Sequence, residues 1–274
     1  MTALINQYSE GNRLLSETQA GFRKDYSTLD HMFLLKCVTD LFKWIKRKLF
    51  CLFVDYKKAF DMAWREGLWW KFVRDNVNRK LFKVIDSMYS NVKSCVIVNQ
   101  ELSDTFMCNM GVRQGENLSP LLFAFYVNDL QEKLIEHNCN YLDFDNNLLN
   151  TYLLLPLLIY ADDTVLLCNS ESNISQTLTS LHRYCSEWKL EVNSYCNKTK
   201  ILVISRGQVQ TKNYNLSFGG EKIEGVNEYE YLFIFFNNCN GRFRKGELEL
   251  VRKATKALYS VTVTKIRLAS RYSD

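Results

Sequence analysis

The sequence predicts a mixed α/β layer fold, and three observations lead to it. Short apolar runs that suit strands, residues 49–56 and 164–168 among them, are separated by stretches whose apolar residues recur at helical spacing. Hydrophobic residues make up 47% of the 274 and aromatics 14%, enough to fill one large domain or one and a half. No internal repeat or low-complexity linker interrupts the pattern, so neither an all-β nor a bundle architecture is expected.

The elements follow in order. Residues 14–29 are polar and loop-like, and Asp30 and His31 then open a helix. Phe33, Leu34, Val38, Leu41, Phe42 and Ile45 recur at its spacing, and Lys43, Lys46, Arg47 and Lys48 close it with charge suited to a helix C-terminus. LFCLFVDY, residues 49–56, reads as a buried strand ending in an acid. The following KKAFDMAWREGLWWKFV turns helical near Ala63, with Asp61 as its cap, and residues 79–91 form another helix. Residues 94–98 and 104–109 pair as a hairpin around 99–103. Beyond the turn-rich GVRQGEN, residues 118–137 carry the strongest helical pattern in the chain.

Composition excludes several classes. Nine cysteines occur singly, without a CxxC pair, and the three histidines are far apart, so a zinc site is not expected and the thiols read as those of an intracellular protein. The first residues lack the apolar core of a signal peptide. The longest apolar run, residues 153–160, is far too short to span a bilayer, so no membrane partner is expected and nucleus and cytoplasm both stay open. The net charge of +5 is concentrated in the tail: Arg242 to Asp274 holds nine Lys and Arg against three acids. This tail suits a helix with Leu248, Val251, Leu258 and Val261 on one face and Arg252, Lys253, Lys256 and Lys265 on the other. Such a helix either lies along phosphates or is an ordinary solvated face.

YADD, residues 160–163, stands between LLLPLLI and TVLLC, which reads as strand, tight turn, strand with two acids at the tip. Adjacent acids on a regular strand point to opposite faces, so Asp162 and Asp163 share one site only where a turn breaks the alternation. Two like charges there call for a compensating cation, and oxygen ligands favour Mg²⁺. The alternative is a solvated Asp turn. Asp55, at the end of its apolar strand, would complete a three-acid cluster able to hold two Mg²⁺ about 3.5–4 Å apart, the arrangement of two-metal phosphoryl transfer.

FVDYKKAFD, GVRQGENLSPLLFAFYVNDL and YADDTVLL, in this order and spacing, resemble motifs A, B and C of reverse transcriptases, most closely those of non-LTR (LINE-like) retrotransposons. QAGFRKDYSTLDH is similar to the segment preceding motif A, WKLEVNSYCNKTKILVIS to motif D and EYEYLFIFF to motif E, so the likeness runs from about residue 14 to about 236. It implies a palm with an antiparallel sheet packed on helices at residues 49–205. Partial fingers would occupy residues 1–48, with the motif E hairpin and the start of a thumb at 206–274, in a chain truncated at both ends.

The resemblance also implies roles residue by residue. Asp55, Asp162 and Asp163 match the metal-binding aspartates, with Mn²⁺ as an alternative to Mg²⁺. Phe60 matches the aromatic that crowds the sugar 2′ position and favours deoxynucleotides; it also reads as a core aromatic. Gln114 and Gly115 match the motif B pair against the incoming nucleotide, Arg23 and Arg113 are phosphate-contact candidates, and Lys198 matches the motif D lysine near the departing pyrophosphate or is simply a surface lysine. The partners implied are an RNA template, a DNA primer and deoxynucleoside triphosphates. Departures include Asp25 for Gly, Glu116 for Asp, about two extra residues in motif D, and YLF in place of YLG at 231–233. Two classes of function follow: an RNA-directed DNA polymerase, or a noncatalytic remnant that at most binds nucleic acid.

Overall fold

The computed structural model describes residues 2–137, 139, 142, 157–194, 198–206, 214–232 and 234–238. The expected basic tail helix, residues 153–156 of the apolar run, residues 195–197 of the motif D stretch and residue 233 lie outside the described residues.

A helix that the sequence pattern does not single out, α1 (Thr2–Gly11), comes first. Helix α2 (Thr28–Trp44) begins at a capping box in which Ser27 and Asp30 satisfy each other's backbone N–H groups. Its buried face is His31, Met32, Leu35, Val38, Thr39 and Phe42, while Phe33 is 71% exposed. Strand β1 (Leu49–Val54) is buried at every position. Two helices follow it, α3 (Ala59–Met62) and α4 (Arg65–Arg74), separated at Ala63 and Trp64. Asp61 therefore lies inside α3 and caps neither helix, since Lys58 and Trp64 hold the N-cap positions. Helix α5 (Arg79–Tyr89) is capped by the Asn78 side chain.

The hairpin expected at 94–109 is nested. Strand β2 (Lys93–Ser94) pairs with β5 (Phe106–Met107), and inside them β3 (Ile97–Val98) pairs with β4 (Glu101–Leu102). The turn is just Asn99 and Gln100, both at positive φ, so the reversal is tighter than the 99–103 loop expected. The long helix expected at 118–137 is two, α6 (Ser119–Tyr126) and α7 (Leu130–Glu136). At the break, Asn128 bonds the Ser16 N–H and the Leu14 carbonyl, each at 2.8 Å, and Asp129 enters a buried ion pair with Lys71 and Arg74. These long-range polar bonds replace one turn of helix that periodicity alone would continue.

The second half supplies β6 (Leu157–Tyr160), β7 (Asp163–Cys168), α8 (Glu171–Glu187), capped by Ser170, and β8 (Lys200–Ile204). The short strands β9 (Ser217–Phe218), β10 (Glu221–Lys222), β11 (Glu224–Val226), β12 (Glu228–Tyr231) and β13 (Ile234–Asn237) complete it. Five strands form the main sheet in the order β11-β8-β1-β7-β6, antiparallel except for the parallel β11–β8 pair. β1 is its centre. Phe50, Leu52 and Val54 face a large core shared with α4, α5, α6 and α8, whereas Leu49, Cys51 and Phe53 face a smaller one under α2 and the β12–β13 hairpin. Because both faces are covered, β1 reads as a continuous apolar run instead of an alternating one. Among the described residues no helix is long and apolar enough to cross a membrane.

Candidate active site

The two acids of YADD sit at the turn that joins the edge strand β6 to β7. Tyr160 pairs with Asp163, so Ala161 and Asp162 form a two-residue turn, and Ala161 adopts φ 57° to make it. Next door, Val54 lies opposite Thr164, and the chain continues from β1 directly into Asp55, which arrives beside Asp163. The turn thus brings both acids to the end of β1, as the broken alternation requires.

Like charge dominates this corner. Partial removal from water and the charge of Asp55 raise the Asp162 carboxyl above its ordinary value, with Lys198 opposing. The Asp163 carboxyl, partly desolvated although its residue is exposed and facing both Asp162 and Asp55, is pushed up to about 6. Among the described residues no group of three or more His, Cys, Asp and Glu stands as a ready-made metal cage. The Asp55 carboxylate is instead engaged on both oxygens: Asn193 Nδ2 donates to Oδ2, and Lys198 Nζ lies 3.5 Å from Oδ1. Three hard-oxygen carboxylates that repel one another fit a divalent cation in donor chemistry and charge.

A carboxyl whose pKa is raised by folding favours the folded state only while protonated. The stability from the Asp163 proton is therefore complete below the unfolded value near 3.8 and lost as pH rises through about 6. Because the side chain is exposed at the start of β7, solvent screening reduces the effect to about 1 kcal/mol. Asp163→Asn is expected to melt higher than wild type at neutral pH in EDTA, with the difference vanishing toward pH 4. Identical melting curves across that window would refute the crowding.

Several supports were not singled out by the sequence reading. Thr18 O accepts from Ile159 N at 2.8 Å and Ile159 O from Ala20 N at 2.9 Å, so the QAGFR segment lies along the outer edge of β6. The buried Gln19 accepts from Gly21 N and Ala161 N through Oε1, tying the segment to the YADD turn. A Cβ at Gly21 would stand 2.3 Å from Ala161 N, so only glycine allows this approach. Tyr229 of β12 donates to Lys198 O at 3.0 Å, and burial together with the Asp163 and Asp55 charges pushes its hydroxyl up to about 12. The pairing of QAGFR with YADD is a contact across some 140 positions that no local period records. Its only local sign is a glycine in a polar stretch.

The motif B loop is fastened to α3. Gly111 N donates to Ala63 O at 2.9 Å and Val112 N to Phe60 O at 2.7 Å, while Gly111 at φ 79° has the Asp61 backbone where a Cβ would be. Phe60 is half-buried with its ring 5.3 Å from that of Phe123, so its position is fixed by the core. Gln114 Nε2 donates to Asp61 Oδ1 at 2.9 Å, giving Asp61 a part in holding the loop, and Gly115 at φ 84° is exposed with open space about it. Arg113 is held by Glu116 and the Met88 carbonyl, at the rim of an open cleft of about 1260 Å³ that Gln114, Asp61, Trp64 and Lys189 also line. Arg23 stands apart. Its buried guanidinium is bidentate to Glu10, bonds the Ser16 and Gln19 carbonyls and stacks 4.1 Å from the Tyr26 ring, with Glu17 3.8 Å away. Four hydrogen bonds to protein acceptors hold the fork, so it braces α1 against the QAGFR segment.

Comparison with known proteins gives a consistent result. A family described as "Reverse transcriptase (RNA-dependent DNA polymerase)" matches residues 1–233. A Drosophila melanogaster protein named "Probable RNA-directed DNA polymerase from transposon BS" is 30% identical over 69% of this chain and 20% of its own length. "RNA-directed DNA polymerase from mobile element jockey" of Drosophila funebris is 24% identical over 83% of this chain and 24% of its own. The chain therefore spans about a fifth to a quarter of these curated relatives. Apo telomerase from Candida tropicalis, truncated from its C-terminal domain, superposes with a TM-score of 0.57 at 14% identity, over 86% of this chain and 43% of that one.

Proposed function

Because this chain belongs to the reverse transcriptase family, with a match over residues 1–233 and a palm fold, we propose that it carries the nucleotidyl-transfer centre of an RNA-directed DNA polymerase. The observation that supports the reading best is the convergence of Asp55, Asp162 and Asp163 on one corner of the sheet with Lys198 against them. Reverse transcriptases generally use divalent cations. Two Mg²⁺, or Mn²⁺, bound here would neutralise charge on the attacking primer hydroxyl and on the departing pyrophosphate. Asp55, Asp162 and Asp163 would hold them, and Lys198 would set a positive charge or a proton beside the leaving group. Residues 49–205 would form the palm, with partial fingers before it and the motif E hairpin and thumb after it. The substrates would be deoxynucleoside triphosphates, a primer and an RNA template.

Phe60 would discriminate sugars. Packed on Phe123, its ring would present a wall to a ribose 2′-hydroxyl, while Gln114 and Gly115 would lie against the nucleotide. Arg113 would sit near its phosphates once freed from Glu116.

Primer extension on an RNA template with the purified chain, Mg²⁺ and deoxynucleotides tests the reading. Extension is expected, and Phe60→Ala is expected to raise ribonucleotide use relative to deoxynucleotide use by about 10- to 100-fold. A folded chain that binds Mg²⁺ yet adds no nucleotide would sink the polymerase reading and leave a noncatalytic palm.

A further inference from the structure

Beyond the end of β1 the chain does not run free. Lys57 N donates to Glu191 O at 2.7 Å, Tyr56 bridges Val192, and Asn193 N donates to Asp55 O at 2.9 Å, so residues 191–193 form a short antiparallel rung beside 55–57. Thr199 closes the loop from the other side: its N–H donates to Asn193 O at 3.2 Å and its hydroxyl accepts from Asp55 N at 3.2 Å. Within this frame the Asn193 side chain, half-buried, reaches back and donates through Nδ2 to Asp55 Oδ2.

We propose that Asn193 is a positioning residue for the metal-binding carboxylate: it ties Oδ2 of Asp55 to the backbone rung and presents Oδ1 as the cation-facing oxygen. The inference rests on the reading of Asp55 as a metal ligand given above. A carboxylate on a short side chain turns readily about its last bond, and a ligand that must be oriented at each binding event holds its ion more weakly. An amide suits this place chemically. It donates a hydrogen bond without bringing charge, so it orients Asp55 without competing with a cation, as a lysine or arginine at 193 would, and without adding repulsion, as an acid would. Lys198 on Oδ1 is a different kind of partner. It is 61% exposed on a long flexible stem, so it can yield that oxygen to an incoming ion, whereas the Asn193 contact to Oδ2 persists.

The test is Mn²⁺ binding, read by electron paramagnetic resonance of the free ion and by Mg²⁺ competition, on the whole chain and its variants. Asn193→Ala is expected to weaken Mn²⁺ binding by about 10- to 100-fold while the melting temperature in EDTA stays close to that of wild type. Thr199→Ala loosens the same loop but leaves the amide on Oδ2, and is expected to bind Mn²⁺ nearly as wild type does. If Asn193→Ala fails to fold, Asn193→Ser, whose hydroxyl cannot span to Oδ2, is expected to show the same loss of affinity. Equal losses in Asn193→Ala and Thr199→Ala would overturn the proposal by reducing the effect to general loosening of the loop, and so would unchanged affinity in Asn193→Ala. Asp55→Asn separates the two levels. If it leaves Mn²⁺ binding intact, the reading of Asp55 as a ligand fails; if it abolishes binding while Asn193→Ala does not change it, only the positioning role fails.

Discussion

Asp162→Asn is expected to cut primer extension by at least about 10³-fold, equivalent to about 4 kcal/mol of barrier, while the protein melts no lower than wild type. The two readouts part because the chemistry proposed for Asp162 calls for a charge that works against folding. Its carboxyl is raised by shielding from water and by the Asp55 charge, so removing its own charge relieves repulsion in the folded state. Asparagine also tolerates turns as well as aspartate does, and the positive φ of the turn is carried by Ala161. What the amide cannot do is hold a hard cation as a carboxylate does. Single-turnover extension beside thermal melting checks both halves. Activity within about tenfold of wild type would remove Asp162 from the catalytic set, and a large drop in melting temperature would show that its role is structural.

The second large effect lies away from the site. Lys71 is fully buried, donates to Asp129, the Tyr126 carbonyl and the Tyr184 hydroxyl, and stands 3.7 Å from the centre of the Trp188 ring. Asp129 also accepts from Arg74 at 2.6 Å and from Tyr184 at 2.7 Å. Asp129→Ala leaves the Lys71 cation without its counter-charge in the core and is expected to cost about 3–5 kcal/mol in urea unfolding. Burial already pushes the Lys71 ammonium down to about 8, and in the variant it falls further. A lysine whose pKa is depressed by folding makes the folded state bind fewer protons than the unfolded one, so stability rises with pH up to the unfolded value near 10.5. The deficit of Asp129→Ala is therefore expected to shrink as pH is raised toward 9. Lys71→Met combined with Asp129→Leu is expected to recover much of the loss, since two apolar groups fill the space without an unpaired charge. A deficit below about 1 kcal/mol for Asp129→Ala would show that water reaches the lysine.

How much of this could be read in advance differs between backbone and side chains. β1, β7 and α5 were legible because each has an unmixed local signal: an apolar run of strand length, or a stretch of helical pattern. The acids were legible for the same reason, standing at the ends of such runs. The break between α6 and α7 was not, because Asn128 and Asp129 leave the helix for partners at Leu14, Ser16, Lys71 and Arg74, none of them a sequence neighbour. Arg23 shows the same blindness. An arginine reads identically whether it awaits a phosphate or is already saturated by Glu10. Asn193 was in plain view inside the motif D stretch but had no local reason to stand out, since its partner is 138 positions away.

The segment that lies along β6 has one more effect. β6 is the outermost strand of the five-stranded sheet, and a bare outer strand offers a row of free N–H and C=O groups to any other chain. Residues 18–20 occupy part of that row through Ile159, so the part of the border beside the YADD turn is withheld from intermolecular strand pairing. Substitutions that loosen residues 14–23 would thus reach solubility as well as the YADD turn, with self-association as the route by which the chain is lost.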